Sequence, residues 1–359
     1  MLKRRLSFIH AIREAFQMAM KKDKNVVLIG EGVPDPKHIF DSTTNLQEKF
    51  GKNRVFDMPL SENGITGVCI GAAIRGLRPI LIHQRLDFSI LSLDQIINNA
   101  AKWHFMFNGQ SKVPLVVRMI IGRGWGQGPQ HSQSYQSIFA HIPGLKVVMP
   151  SNAYDAKGLL LKSIKDNNPV IFIEHRWLHH IEDYVPNKYY EIELGKAKII
   201  KSGKSITLVA FSYMVIESLI AVKALEKYLK INIEVIDMRS VKPLDADTVI
   251  SSVKKTKNLI VCDTAHSFGS IASELIFQVI SNCFNYLHCP PVKICSPDYP
   301  TPTAQSLTKN YYPGPIQICS EIMRVLNISA GNEILKSIFK ECERKGMHDI
   351  PKTDFQGPF

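Results

Sequence analysis

No Cys-x-x-Cys pair occurs in this chain, although it carries seven cysteines, Cys69, Cys262, Cys283, Cys289, Cys295, Cys319 and Cys342. Their odd number and scatter argue against a disulfide framework and predict reduced, mostly buried thiols in a cytoplasmic setting. Long hydrophobic runs are also lacking. The longest candidates, such as Val113 to Ile121, which Arg118 interrupts, fall well short of the ~18–20 apolar residues that span a membrane. Acidic residues are in deficit, 32 against 44 basic, for a formal charge of +12. Nucleic acid is the reflex reading of that excess. The lysines, however, are spread along the whole chain without aromatic interleaving, so a solvated surface or an acidic partner subunit accounts for them better. The basic start, Met1-Leu-Lys-Arg-Arg, imitates a targeting peptide. Ser7 nevertheless suits the N-cap of a helix over 7–22 with Ile9, Ile12, Phe16 and Met20 at helical spacing, and Glu14 and Asp23 are out of place in a transit sequence.

What is present is a soluble α/β pattern. The 359 residues, 45% hydrophobic and 21% charged, suffice for two domains with real cores. Strand and helix signals alternate twice, which predicts two doubly wound domains with parallel sheets. The first runs over 1–185 and a linker with a short hairpin over 186–204. The second runs over 205–330, and a peripheral tail over 331–359 carries a short amphipathic helix around Ile334, Ile338 and Phe339.

Three stretches of the first domain carry chemistry. Pro59-Leu-Ser-Glu62 sets a carboxylate at the mouth of a small-residue helix, Gly64 to Ala73, where the helix dipole stabilises a negative charge; a plain helix cap is the alternative. Gly122-Arg-Gly-Trp-Gly-Gln-Gly128-Pro-Gln-His131 follows a strand and lets backbone approach a ligand closely. It has neither P-loop nor GxGxxG spacing. His131 reads as an acid/base group or as a loop-packing side chain. Asp166-Asn-Asn-Pro169 is an oxygen-rich turn.

Taken in order, these pieces resemble a known family. Pro59-Leu-Ser-Glu62, Gly76-Leu-Arg-Pro79, Asp94-Gln-Ile-Ile-Asn-Asn-Ala-Ala-Lys102, Gln130-His-Ser-Gln133, Pro143-Gly-Leu-Lys-Val-Val-Met-Pro150, Asp155-Ala-Lys-Gly158, Asp166-Asn-Asn-Pro169 and, further on, Glu234-Val-Ile-Asp-Met-Arg239 and Lys242-Pro-Leu-Asp245 are similar to the β subunits of the pyruvate and branched-chain 2-oxo acid dehydrogenases. The likeness covers about residues 7–326. It implies a transketolase-like pyrimidine-binding domain followed by a transketolase C-terminal domain. The implied activity is decarboxylation of a 2-oxo acid with thiamine diphosphate and transfer of the acyl group to lipoamide. Glu62 matches the carboxylate that hydrogen-bonds the aminopyrimidine ring and sets up removal of the thiazolium proton. Phe88 matches the aromatic packed on that ring, with Leu60 and Gln84 beside it. His131 matches the histidine at the active-site entrance. Leu115, Ser163, Ile164, Asp166 and Asn168 match a structural potassium site. The Gly-Asp-Gly…Asn signature that holds Mg²⁺ and the diphosphate is absent, so the resemblance implies an α-type partner in an α₂β₂ heterotetramer, with a lipoyl-domain acyltransferase beyond it.

Two departures stand out. The glycine-rich loop differs from the family's, and His83-Gln-Arg-Leu-Asp87 puts Arg85 near the expected pocket. Arg85 suits a second anionic group on the substrate, or a salt bridge to Asp87 or the partner chain. A transketolase-like or carboligating synthase half, using the same cofactor non-oxidatively, is the alternative reading.

Overall fold

The computed structural model describes residues 4–343 apart from 36, 37, 125 and 309. Pro36 and Lys37, Trp125 of the glycine-rich loop, and the terminal stretch Asp354 to Phe359 lie outside the described residues.

Strand β1 (Arg5–Ser7) leads straight into helix α1 (Phe8–Lys22), and the Ser7 side chain accepts a hydrogen bond from His10 N at 3.4 Å. The predicted cap is therefore formed, and Lys21 and Lys22 lie in the last turn, where the dipole favours cations. Five strands of the first domain are β2 (Val26–Gly30), β4 (Arg78–His83), β5 (Val116–Ile121), β6 (Lys146–Val148) and β7 (Val170–His175). They are buried almost throughout, as expected of parallel strands covered on both faces. A two-residue strand β3 (Val55–Phe56) adds one edge, giving the order β6-β7-β5-β4-β2-β3. Helices α1 and α3 (Ala153–Lys165) cover one face around Phe16, Leu28, Ile82 and Phe172. Helix α2 (Glu62–Ile74) and a helix over 95–106, π-wound from Gln95 to Ala100, cover the other.

The strand β12 (Ser240–Lys242) pairs antiparallel with β6, so the second half of the chain supplies an edge of the first sheet. The second sheet runs β14-β13-β10-β11-β9, from β9 (Lys198–Lys201), β10 (Ile206–Ala210), β11 (Ile233–Asp237), β13 (Leu259–His266) and β14 (Val292–Ser296). All pairs in it are parallel except β9 with β11. Helix α4 (Met214–Leu229) lies on one face, and α5 (Ala246–Thr256) and α6 (Ile271–Cys283) on the other.

The expected linker hairpin does not form. Instead β8 (Glu182–Tyr184) pairs with β1, and β9 joins the second sheet. The expected tail helix does form, as α8 (Asn332–Cys342). It is not peripheral through that stretch, because Ile338 and Cys342 enter the core against α4 and α7 (Pro315–Val325). A single apolar cluster joins Leu81, Val117 and Ile173 of the first sheet to Val209, Ile236 and Val261 of the second. Among the described residues no helix is long and apolar enough to cross a membrane.

Candidate active site

The site is built at the carboxyl ends of β2, β4 and β5, where parallel sheets leave backbone and loops free to receive ligands. Glu62 is the first residue of α2 and only 8% exposed; its carbonyl accepts from the Thr66 hydroxyl at 2.7 Å. Facing it is Glu31, in the loop that leaves β2. Burial and the neighbouring Glu62 and Asp57 carboxylates push the Glu31 carboxyl above its ordinary range. One Glu31 oxygen, Oε1, is buried with no hydrogen-bond partner. Asp57 Oδ1 accepts from Gly32 N and Met58 N, both at 2.9 Å, and so ties the Glu31 loop to the segment leading to Glu62. Gln84 completes the group by donating Nε2–H to the Glu31 carbonyl at 3.0 Å. Leu60 sits just outside, 83% exposed.

Phe88 and His131 meet edge to face, with ring centroids 5.4 Å apart. Asp87 holds the two together: its Oδ1 accepts from Gln133 N at 3.2 Å and from Gln133 Nε2 at 2.7 Å, while Oδ2 is buried without a partner. Burial raises the Asp87 carboxyl, against the Gln133 hydrogen bonds that lower it. Arg85 is 3% exposed and donates to the Gly122 carbonyl and to Gln127 Oε1, not to Asp87. Burial pushes its guanidinium down to about 10. Arg85 therefore braces the glycine-rich loop from inside. Gly122 has φ +87°, and a Cβ there would lie 2.6 Å from the His175 ring, so this position admits glycine only.

The loop is also fastened to the second domain. Arg123 donates to the carbonyls of Pro302 (2.7 Å) and Thr303 (3.1 Å), and Trp177 Nε1 donates to Arg123 O at 2.8 Å. Ser134 and Thr264 hydroxyls lie 2.9 Å apart, and Gln136 Nε2 donates to Asp263 Oδ1 at 2.6 Å. Between the two domains, the residues Ser132, Ser134, His175, Tyr213, His266 and Tyr312 line a cavity of about 30 Å³, room for a water or two.

The residues expected to hold potassium come together away from this site. Ser163 and Ile164 lie in the last turn of α3, Asp166 and Asn168 in the turn that follows it, and Leu115 is adjacent, its carbonyl accepting from Val170 N at 2.9 Å. A single Arg78 nitrogen, Nη1, donates to both the Ile164 carbonyl (3.1 Å) and the Asp166 carbonyl (2.9 Å), which therefore point to a common place.

Sequence reasoning missed Glu31, Asp87 and the second-domain fastening through Arg123. For Glu31 a signal was available, since Gly30-Glu31-Gly32 places an acid between two glycines at a strand end. The Arg123 contacts span 179 and 180 residues, which local pattern cannot reveal.

The family model "Transketolase, pyrimidine binding domain" matches residues 4–180, and "Transketolase, C-terminal domain" matches residues 195–318. The acetoin:2,6-dichlorophenolindophenol oxidoreductase subunit beta of Bacillus subtilis is 41% identical over 91% of this chain and 99% of its own length. Its Cupriavidus necator counterpart is 39% identical over 90% of this chain and 98% of its own. The pyruvate dehydrogenase E1 component subunit beta of Rickettsia felis is 39% identical over 88% of this chain and 96% of its own. A solved structure titled split gene transketolase, inactive beta4 tetramer, shares the fold, with a TM-score of 0.72 over 90% of this chain and 99% of that one at 19% identity. The chain belongs to the transketolase-like family, as a β subunit of the 2-oxo acid dehydrogenase E1 type.

Proposed function

We propose that this chain holds the aminopyrimidine end of thiamine diphosphate in a 2-oxo acid dehydrogenase, and that an α-type chain grips the diphosphate through Mg²⁺. The single observation that carries the reading is the Glu31–Glu62 carboxyl pair with one buried, partnerless oxygen. A Glu31 carboxyl raised by burial beside a second acid suits the nitrogen edge of a pyrimidine, which both donates and accepts. Bound thiamine diphosphate supplies an acidic ring carbon and an electron sink for loss of carbon dioxide. Glu62 then holds a proton at the ring nitrogen, and Phe88 packs against the ring. His131, backed by Phe88, moves a proton at the entrance during acyl transfer to a lipoyl domain. The sequence offers no Gly-Asp-Gly, so the metal side belongs to the partner, in an α₂β₂ assembly. The setting is cytoplasmic, in keeping with seven free cysteines.

Potassium is proposed at the turn of Ser163, Ile164, Asp166 and Asn168 with Leu115. The Leu115, Ser163, Ile164 and Asp166 carbonyls each keep a second lone pair beyond their present donor. A rise in the thermal midpoint in KCl over choline chloride at equal ionic strength is the expected result; equal midpoints would remove the ion.

The decisive experiment is co-expression with a Gly-Asp-Gly-bearing α-type chain. Calorimetry should give tight thiamine diphosphate binding, dependent on Mg²⁺, only for the pair. Glu62→Gln should lower turnover by about 10²–10⁴-fold while the pair still assembles. Tight binding by this chain alone, or full activity of Glu62→Gln, would refute the assignment.

A second reading concerns the substrate. Two of the relatives above are named for acetoin, a 2-hydroxyketone, so the assay panel includes acetoin beside pyruvate and branched-chain 2-oxo acids, with lipoamide, a dye or an aldehyde as acceptor. Oxidation of acetoin alone would move the enzyme to carbon–carbon cleavage. Product formed only with the aldehyde would indicate the carboligating alternative.

A further inference from the structure

We propose that Cys319 and Cys342 form a redox-modifiable dithiol that exchanges with a small disulfide, such as glutathione disulfide, and so locks helix α8 onto α7. Cys319 lies on α7 and Cys342 is the last residue of α8. Their sulfurs are 3.6 Å apart, and neither residue is more than 3% exposed. Both lie beyond residue 318, where the match to the family domains ends.

The geometry favours bond formation over mere packing. A disulfide has sulfurs about 2.05 Å apart, so closure from 3.6 Å asks for roughly 1.5 Å of approach, within the range of side-chain rotation. The two thiols are also unlike. The hydrogen bond from Cys319 holds the Cys342 thiol below its ordinary range, while that same bond and burial push Cys319 up. Cys342 is therefore the attacking thiol. Access comes from its position, since fraying of one terminal helical turn exposes it. Ile338, one turn earlier and fully buried, keeps the rest of α8 docked. The polar ties at this end are the surface pairs of Glu341 with Lys227 (2.7 Å) and Lys223 (3.7 Å), which hold the turn weakly.

The chemistry balances in two exchanges. The Cys342 thiolate attacks one sulfur of glutathione disulfide and expels a glutathione thiolate, leaving a mixed disulfide. The Cys319 thiol loses its proton to that thiolate and attacks Cys342 Sγ, expelling the second glutathione. Two protein thiols are oxidised and one disulfide is reduced to two thiols.

The test is to incubate the full-length chain with glutathione disulfide, quench with acid, alkylate in denaturant and map peptides by mass. A cross-linked Cys319–Cys342 peptide pair, about 2 Da lighter than the two free thiols together, reversed by dithiothreitol, is expected. Hydrogen exchange across 332–342 should slow in the oxidised sample. In Cys319→Ala, Cys342 should stop at a stable glutathione adduct. Both thiols remaining alkylatable in the wild type, or glutathione retained on one with the other free, would overturn the proposal. The wild-type map decides even if the variant does not fold.

Discussion

Arg85 shows how a departure from a family pattern acquires meaning only with coordinates. The sequence left open a substrate contact or a salt bridge to Asp87. The structure spends its guanidinium on the Gly122 carbonyl and Gln127, inside the loop that leads to His131. Removing it takes a donor from the buried Gly122 carbonyl, at about 1–3 kcal/mol, and loosens the loop without changing any group that faces the substrate, while Gln127 Oε1 keeps its bond from Gly124 N. Arg85→Met is therefore expected to lower kcat by about tenfold or more while the ranking of 2-oxo acids by kcat/KM stays the same. Steady-state assays across the panel check this, and a reordered ranking would restore a direct substrate role. The acid at position 62 was legible because Pro59-Leu-Ser-Glu62 sets it at the mouth of a helix, whereas Phe88 was reached only through the family resemblance. Glu31 was not recognised, because its importance comes from what faces it.

At the scale of elements, strands β5 and β7 are neighbours and each carries a charge into the core. Arg118 donates to both Glu174 oxygens (3.0 and 2.5 Å) and to the Ser42 hydroxyl at 2.7 Å, and His179 bonds Glu174 at 2.9 Å. Burial alone would raise the Glu174 carboxyl, but Arg118 and His179 outweigh it and hold it at about 2. Its contribution to stability is thus complete above the unfolded carboxylate range, near 4.5, and lost as pH falls towards 2. Arg118→Met strands a buried carboxylate and is expected to cost about 3–5 kcal/mol. Adding Glu174→Gln should recover a good part, and urea melts of the single and double variants measure both. The sequence showed Arg118 only as an interruption of an apolar run; its partner lies 56 residues away.

At the scale of the whole molecule, the two domains are clamped by buried charge as well as by their common core. Arg239 forks onto Asp155 at 2.9 and 2.6 Å, and beside them Asp237 bonds Ser151 and accepts from Arg239 N at 3.0 Å. Burial, with the nearby Asp155 carboxylate, raises the Asp237 carboxyl to about 7. The folded state therefore holds a proton that the unfolded chain releases near 3.8, so this group's contribution falls as pH rises from about 4 through 7. His83, held down at about 4 by burial, acts in the opposite direction as pH rises towards 6.5. The difference between wild type and Asp237→Asn isolates the carboxyl. The variant should gain roughly 2–4 kcal/mol on wild type between pH 5 and 8, read from urea midpoints at both values. A constant difference would remove Asp237 from the pH response.

Sequence alone determined the double α/β alternation, the capped first helix, the tail helix and the acid at the mouth of α2, because each depends on residues within a turn or two of one another. Only the tertiary structure decided that β12 completes the first sheet, that β9 belongs to the second, and that one apolar core runs through both. It also decided that Glu31 meets Glu62 and that Arg123 bolts the glycine-rich loop to Pro302 and Thr303. Those outcomes depend on burial and on partners scores of residues apart, where the cost of an unpaired charge or an uncovered edge is set by the whole fold.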